Sequence, residues 1–333
     1  ASYLLNDTTG YIRLNKFSES TYEEFMEALE KLKNKGIRKL VLDLRDNGGG
    51  ILDEAVQIAD EFLSGEKLIV YTEGAHHQRR EYHARRKGLF EEGSLILLMD
   101  EGSASASEVL AGALQDWDRA TIIGRRSFGK GLVQEQYSLE DGSALRLTVA
   151  RYYTPLGRSI QKPYNNGINE YNSDIINRYY HGELIHADSL QFKKGVSFKT
   201  QSGKNLYGGG GINPDIFISI DTTKYDTVFN KIYVKNTISN YAYHYFLEHQ
   251  LILKKFNDPS EYNMSFQIDE TLMADFKSYA KKDSIEINNL KKSNLLYLAT
   301  RIKASIARQI WRMDGYFQVI NFKDPAIEKA VKL

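Results

Sequence analysis

Two short apolar runs, Leu40-Val41-Leu42-Asp43-Leu44 and residues 95–99, are each followed by a turn of small residues and then by helical spacing. Runs this short and this apolar read as strands buried on both faces, which belong in parallel sheets covered by helices. Shorter strand signals lie at 11–14, 68–71 and 120–123. Phe25, Leu29 and Leu32 fall at i, i+4 and i+7 within a helix predicted over 20–35, and Gly36 is its stop signal. Strand and helix alternate to about residue 130, so the fold class predicted here is α/β with mostly parallel strands.

The pattern then changes. Residues 132–139 and 143–153 alternate as two strands joined by Asp141-Gly142, a hairpin signal. Residues 163–211 are polar and rich in Asn and Tyr, and read as a long irregular excursion ending in four glycines. The chain returns at Ile212-Asn213-Pro214-Asp215. Beyond 227 glycine is rare and helical patterns dominate; one runs from about 290 to 313 with Leu295, Leu298, Ile302 and Ile306 on one face. A boundary near Asp221-Thr222-Thr223 divides the chain into domains at 1–221 and 222–333.

With 333 residues the chain is long enough for more than one core. A formal net charge of +1 argues against a strongly basic nucleic-acid binder. No apolar run reaches the ~18–20 residues of a membrane span. The absence of cysteine excludes disulfides, a thiol nucleophile and thiolate metal sites, and no metal or other cofactor is expected. The sequence opens at Ala1 without a methionine or a signal-peptide core, as a mature form or a fragment does.

Chemistry concentrates in three segments. Met99-Asp100-Glu101-Gly102-Ser103-Ala104-Ser105-Ala106-Ser107-Glu108 carries a small-residue turn from a buried strand into a helix. Such a turn exposes a hydroxyl where helix-start N–H groups converge. The plainer reading is a serine-rich helix cap with Glu108 as the capping-box partner of Ser105. A serine nucleophile needs a base. The seven histidines lie in charged or polar stretches or in the C-terminal helices, whereas Lys130 stands between two glycines in Ser127-Phe128-Gly129-Lys130-Gly131. A lysine acts as a base only when an apolar setting favours its neutral form, and activity is then expected to rise with pH. A surface lysine in a glycine turn is the plainer reading. Residues 124–131 also resemble a phosphate-binding loop, but Gly131 replaces the Mg²⁺-binding hydroxyl and the following residues alternate like a strand. The third segment, Gly48-Gly49-Gly50 after a buried strand, is either a flexible connector or a source of oxyanion N–H donors.

Taken in order, these segments resemble the carboxyl-terminal processing peptidases, or tail-specific proteases. The resemblance rests on residues 42–50, 102–108, 128–134 and 152–160, with 211–215 as a weaker fifth marker. It covers roughly residues 10–220. It implies a serine endopeptidase acting near substrate C-termini, with Ser105 as nucleophile, Lys130 as general base and Gln134 completing the centre. The oxyanion donors would be the N–H groups of Ala106 and Gly49. It also implies a core like the crotonase and Clp spiral, with a helical C-terminal domain. Gly48 stands where the family often has proline.

The implied partners are proteins or peptides with apolar C-terminal tails, and a homo-oligomer is compatible with the family. Only nine residues precede Gly10, so the family's peptide-binding PDZ domain is expected upstream in the full-length protein. The implied location is the periplasm or cell envelope of a bacterium. Two rivals come from other classes: a non-catalytic peptide-binding scaffold, and a nucleotide binder using residues 124–131.

Overall fold

The apolar runs become the middle of a six-stranded sheet in the computed structural model, which describes residues 1–164, 167–187, 196–222, 226–287 and 290–333. The chain forms two units, Ser2–Ile220 with Lys329–Leu333, and residue 1 with Asp221–Glu328. Of the boundary expected at 221–223, residue 223 lies outside the described residues.

In the larger unit, β1 (Ser2–Asn6) pairs antiparallel with β2 (Thr9–Arg13). From β2 the sheet runs parallel through β3 (Lys39–Asp43), β6 (Ser94–Met99), β7 (Thr121–Gly124) and β12 (Ile216–Phe217). Helix α1 (Thr21–Asn34) buries Phe25, Leu29 and Leu32. These join the side chains of α2 (Leu52–Asp60) and one face of the sheet in a single core. Every residue of α3 (Ala106–Asp116) is buried. This explains its small residues, because a helix packed on all sides leaves no room for a polar face.

A second, antiparallel sheet has the order β5 (Arg80–His83), β4 (Leu68–Glu73), β9 (Ala144–Tyr153), β8 (Leu132–Ser138). The Asp141-Gly142 turn joins β8 to β9, with Gly142 at φ +82° as such a turn requires. Strands β1 and β5 were not legible from periodicity; β5 is the charged run Arg80-Glu81-Tyr82-His83.

The region read as an irregular excursion is more ordered than expected. It contains α4 (Ile168–Tyr180) and a small hairpin of β10 (Ser197–Lys199) with β11 (Asn205–Tyr207). Residues 165–166 and 188–195 of that excursion lie outside the described residues. Helix α4 buries no apolar side chain fully, and Ile168 and Ile176 are exposed. Its anchor is Arg178, which is buried and bonded to Glu183 and to the carbonyls of Arg126 and Ser127. Hydrophobic spacing carries no trace of an anchor of this kind.

The smaller unit is helical. It contains α5 (Thr227–Val234), α6 (Thr237–Glu248), α7 (Gln250–Leu253), α8 (Pro259–Ser265), α9 (Glu270–Lys282) and α10 (Lys292–Asn321), and α11 (Pro325–Lys332) follows. Asp226, Asp258 and Asp269 cap α5, α8 and α9. Its core includes Phe229, Tyr241, Tyr262, Phe276, Leu298 and Ile302. The long helix expected to end near 313 continues to Asn321 through a kink, where Arg312 takes φ +54°.

Candidate active site

Adjacent parallel strands put Asp43 beside Leu98 and Met99 beside Gly124, so the loops leaving β3, β6 and β7 emerge together at one end of the sheet. In open α/β sheets this carboxyl end is where sites form. The three segments singled out by sequence are these three loops.

The loop after β3 is held by buried polar groups. Asp43 has no exposure and accepts from Tyr11 Oη at 2.7 Å, Arg13 Nη1 at 3.0 Å and Arg45 Nη2 at 2.7 Å. Burial opposes its charge, but the Arg45 and Arg13 guanidinium groups outweigh that and hold the carboxyl well below its ordinary range. Asn47 is fully buried. Its Nδ2 donates to Leu14 O, and its own carbonyl accepts from Ala104 N and Ser107 Oγ, each at 2.9 Å. Asn47 thereby ties the glycine loop to the serine turn. Gly49, at φ +91°, lies so close to that turn that an added Cβ would sit 2.7 Å from Ser105 Cβ and 2.8 Å from Ala106 N. Its N–H is donated to Asn47 Oδ1 at 2.9 Å.

The turn after β6 is equally fixed. Ser103 Oγ donates to Leu44 O at 2.8 Å, and Ser103 O accepts from Phe128 N at 2.9 Å. Ser105 follows at φ +58°, ψ −116°, a backbone region that non-glycine residues enter at a cost of about 1–3 kcal/mol. The half-buried serine stands at the start of α3, with Ala106 as the first helical residue.

One carboxylate joins this turn to the loop after β7. Glu108 has no exposure, and its Oε2 accepts the N–H of Ser105 and the N–H of Lys130, both at 2.8 Å. Its Oε1 accepts Ser127 Oγ at 2.5 Å and Gly129 N at 2.7 Å. Burial raises its pKa, against the pull of these four donors. The capping contact read from sequence, Glu108 to the Ser105 N–H, is present, and the same side chain also holds the lysine loop. That loop leads into strand β8 rather than a helix, and its amides are given to Glu108. A phosphate loop needs those amides for its ligand, so the geometry opposes the nucleotide reading.

Lys130 is half-buried, and among the described residues its side chain makes no hydrogen bond to Ser105 and no ion pair. Gln134 is exposed on β8 opposite Thr148, after a bulge between Val133 and Gln134. Among the described residues there is no cluster of three or more His, Asp and Glu placed to hold a metal.

Residues 8–170, which contain all three loops, match peptidase family S41. This segment, just under half of the chain, is similar to that family. A carboxy-terminal-processing protease of Bartonella bacilliformis is 43% identical over 163 residues, which cover 48% of this chain and 38% of that protein. A carboxyl-terminal-processing protease of Synechocystis sp. is 43% identical over 155 residues, covering 46% and 36% respectively. The chain thus spans well under half the length of these relatives. A solved photosystem II D1 C-terminal processing protease aligns with 31% identity and a TM-score of 0.46, covering 63% of this chain and 42% of that one. Residues 228–312 match a family of unknown function, DUF8443.

Two further motifs, one inside the matched segment and one beyond it, tie down the helix that starts after Ser105. Arg158, in Thr154-Pro155-Leu156-Gly157-Arg158, is almost fully buried and pairs with Asp116 at 2.6 Å, at the end of the helix that starts after Ser105. Asp215, in Ile212-Asn213-Pro214-Asp215, accepts Ile122 N at 2.8 Å and Gln115 Nε2 at 2.9 Å, tying β7 to the same helix. Sequence reasoning missed the wider reach of Glu108 and the roles of Asn47 and Ser127. Only Glu108 left a signal, its i+3 spacing from Ser105; its other partners are 19 to 22 residues away.

Proposed function

We propose that the protein is a serine endopeptidase that cleaves protein substrates near their C-termini; its relatives are named carboxyl-terminal-processing proteases. Ser105 is the nucleophile and Lys130 the general base. The observation that carries this reading is the shared acceptor: one buried carboxylate oxygen takes the main-chain N–H of both residues at 2.8 Å. The main chains of nucleophile and base are thereby tied to one buried group, which favours bringing their side chains together.

In this mechanism neutral Lys130 takes the Ser105 proton as Oγ attacks the peptide carbonyl, and then gives it to the departing amine. Water repeats the cycle on the acyl-enzyme. The Ala106 N–H, at the start of α3, is one oxyanion donor. Gly49 is the second, and its N–H reaches the oxyanion once Asn47 Oδ1 releases it. Gln134 orients the lysine in a substrate-bound arrangement, since β8 begins two residues after Lys130. The substrates are polypeptides with apolar tails. The PDZ domain of the full-length protein captures them, and the enzyme works outside the cytoplasm.

The test is cleavage of unfolded proteins with apolar C-terminal tails by the wild type, Ser105→Ala and Lys130→Ala. Loss of cleavage in both variants with unchanged circular dichroism is the expected result. Cleavage retained by either variant overturns the assignment.

A further inference from the structure

In the helical unit, α10 carries Arg301 into a half-buried position among three tyrosines. Its guanidinium carbon lies 5.8 Å from the ring centroids of Tyr233 and Tyr297 and 5.6 Å from that of Tyr316. Tyr233 and Tyr297 are joined through their hydroxyls at 2.8 Å. Among the described residues no carboxylate lies within ion-pair distance of Arg301. A cation removed from water is expected to have a counter-ion, and ring faces supply only part of that stabilisation.

Arg301 lines a pocket of about 270 Å³. Arg308, two helical turns further along α10, also lines it, and so do the hydroxyl-bearing Ser239 and Ser305. Asn236, Ile238 and Ser239 bring the start of α6 to the same pocket. This twelve-residue helix has no acidic residue in its first turn and no side-chain cap. Its early N–H groups and the positive end of its dipole therefore favour an anion. The acid near this helix start is Asp283, which accepts Thr237 Oγ1 at 2.6 Å and does not line the pocket. Apolar surface comes from Ile232, Ile238 and Met313. Met313 and Tyr316 reach the pocket just beyond the kink at Arg312.

We propose that this pocket is an oxyanion-binding site of the helical unit. It takes a carboxylate or phosphate group between Arg301, Arg308 and the start of α6, with an apolar part of the ligand against Ile238 and Met313. The fork of two arginines suits planar or tetrahedral oxyanions. The ligand is small, because the volume admits about one or two side chains. The proposal stands apart from the peptidase reading, since every residue it uses lies between 232 and 316.

The experiment is calorimetric titration of the full chain, carrying Ser105→Ala so that no ligand is cleaved. Three probes are used: a tetrapeptide ending in leucine with a free carboxylate, the same peptide as its C-terminal amide, and inorganic phosphate. The expected result is one-to-one binding of the acid peptide or of phosphate, at least tenfold tighter than the amide and weakened by salt. Arg308→Gln, at an exposed position, should weaken it about tenfold, and Arg301→Gln should abolish it. Preference for the acid peptide identifies a carboxylate ligand, and preference for phosphate a phosphorylated one. Equal binding of acid and amide, binding unchanged in Arg308→Gln, or no binding of either anion overturns the proposal.

Discussion

At the carboxyl end of the parallel sheet, Asp43 and Glu108 are removed from water and each is surrounded by donors. In the helical unit, Arg301 is withdrawn among tyrosine rings, and among the described residues no carboxylate pairs with it. Satisfied buried charges hold loops in place, because any movement strands a donor or an acceptor in a low dielectric. A charge left without its counter-ion has the character of a binding group. The contrast assigns the sheet edge to fixed chemistry and the helical pocket to a ligand that comes and goes.

The largest expected effect bears on the sheet edge. Ser105→Ala and Lys130→Ala should each lower cleavage by about 10³-fold or more while leaving the melting temperature within a few degrees. If only Ser105→Ala is silent, the base lies elsewhere. Next, Asp43→Asn should destabilise the protein by about 3–5 kcal/mol in denaturant titration, because it leaves Arg13 and Arg45 facing a neutral amide in a buried site. An Asp43→Asn protein as stable as wild type would break the contrast between the two units. By the same reasoning Arg301→Met should change stability by less than about 1 kcal/mol, since no buried partner is stranded.

The sheet-edge carboxylates also set opposite pH dependences. Asp43 has a lowered pKa, so its contribution is complete above the ordinary carboxylate value and is lost as pH falls through the lower folded value. Asp100, buried and close to the charges of Asp46 and Glu101, is pushed up to about 6. Its contribution is complete below its ordinary value of 3.8 and declines as pH rises through 6. Asp100→Asn should therefore flatten the fall in stability across that window, as measured by urea midpoints at half-unit steps. The smallest effect is expected at the exposed Gln134: Gln134→Ala should cost less than about tenfold in kcat, because a solvated amide positions a neighbour weakly. An unchanged kcat in Gln134→Ala would remove Gln134 from the centre.

Much of this was legible in sequence where the signal is local. The apolar runs at 40–44 and 95–99 marked strands, and the glycine run at 48–50 marked the loop after the first of them. What escaped was non-local and polar. Arg178 anchors α4 through carbonyls some fifty residues away, and Ser127 reaches Glu108 across a gap of 19. Pairings like these have no period, and one sequence alone does not reveal them. The position of Gln134 was set by the hairpin, whose middle is solvated on both strands.

In the proposed mechanism the Glu108 carboxylate makes Ser105 and Lys130 a single centre. The decisive experiment is acylation of Ser105 by a small activated ester, followed by peptide mass mapping, in the wild type and in folded Glu108→Gln protein. An amide at 108 replaces one acceptor oxygen by a donor, so two of the four donors lose their partner. Labelling is expected at Ser105 in the wild type, at a rate about 10²-fold lower in the variant, the penalty of misplacing reacting groups by about an ångström. Equal rates in a folded Glu108→Gln protein, or wild-type labelling at any residue other than Ser105, would contradict it.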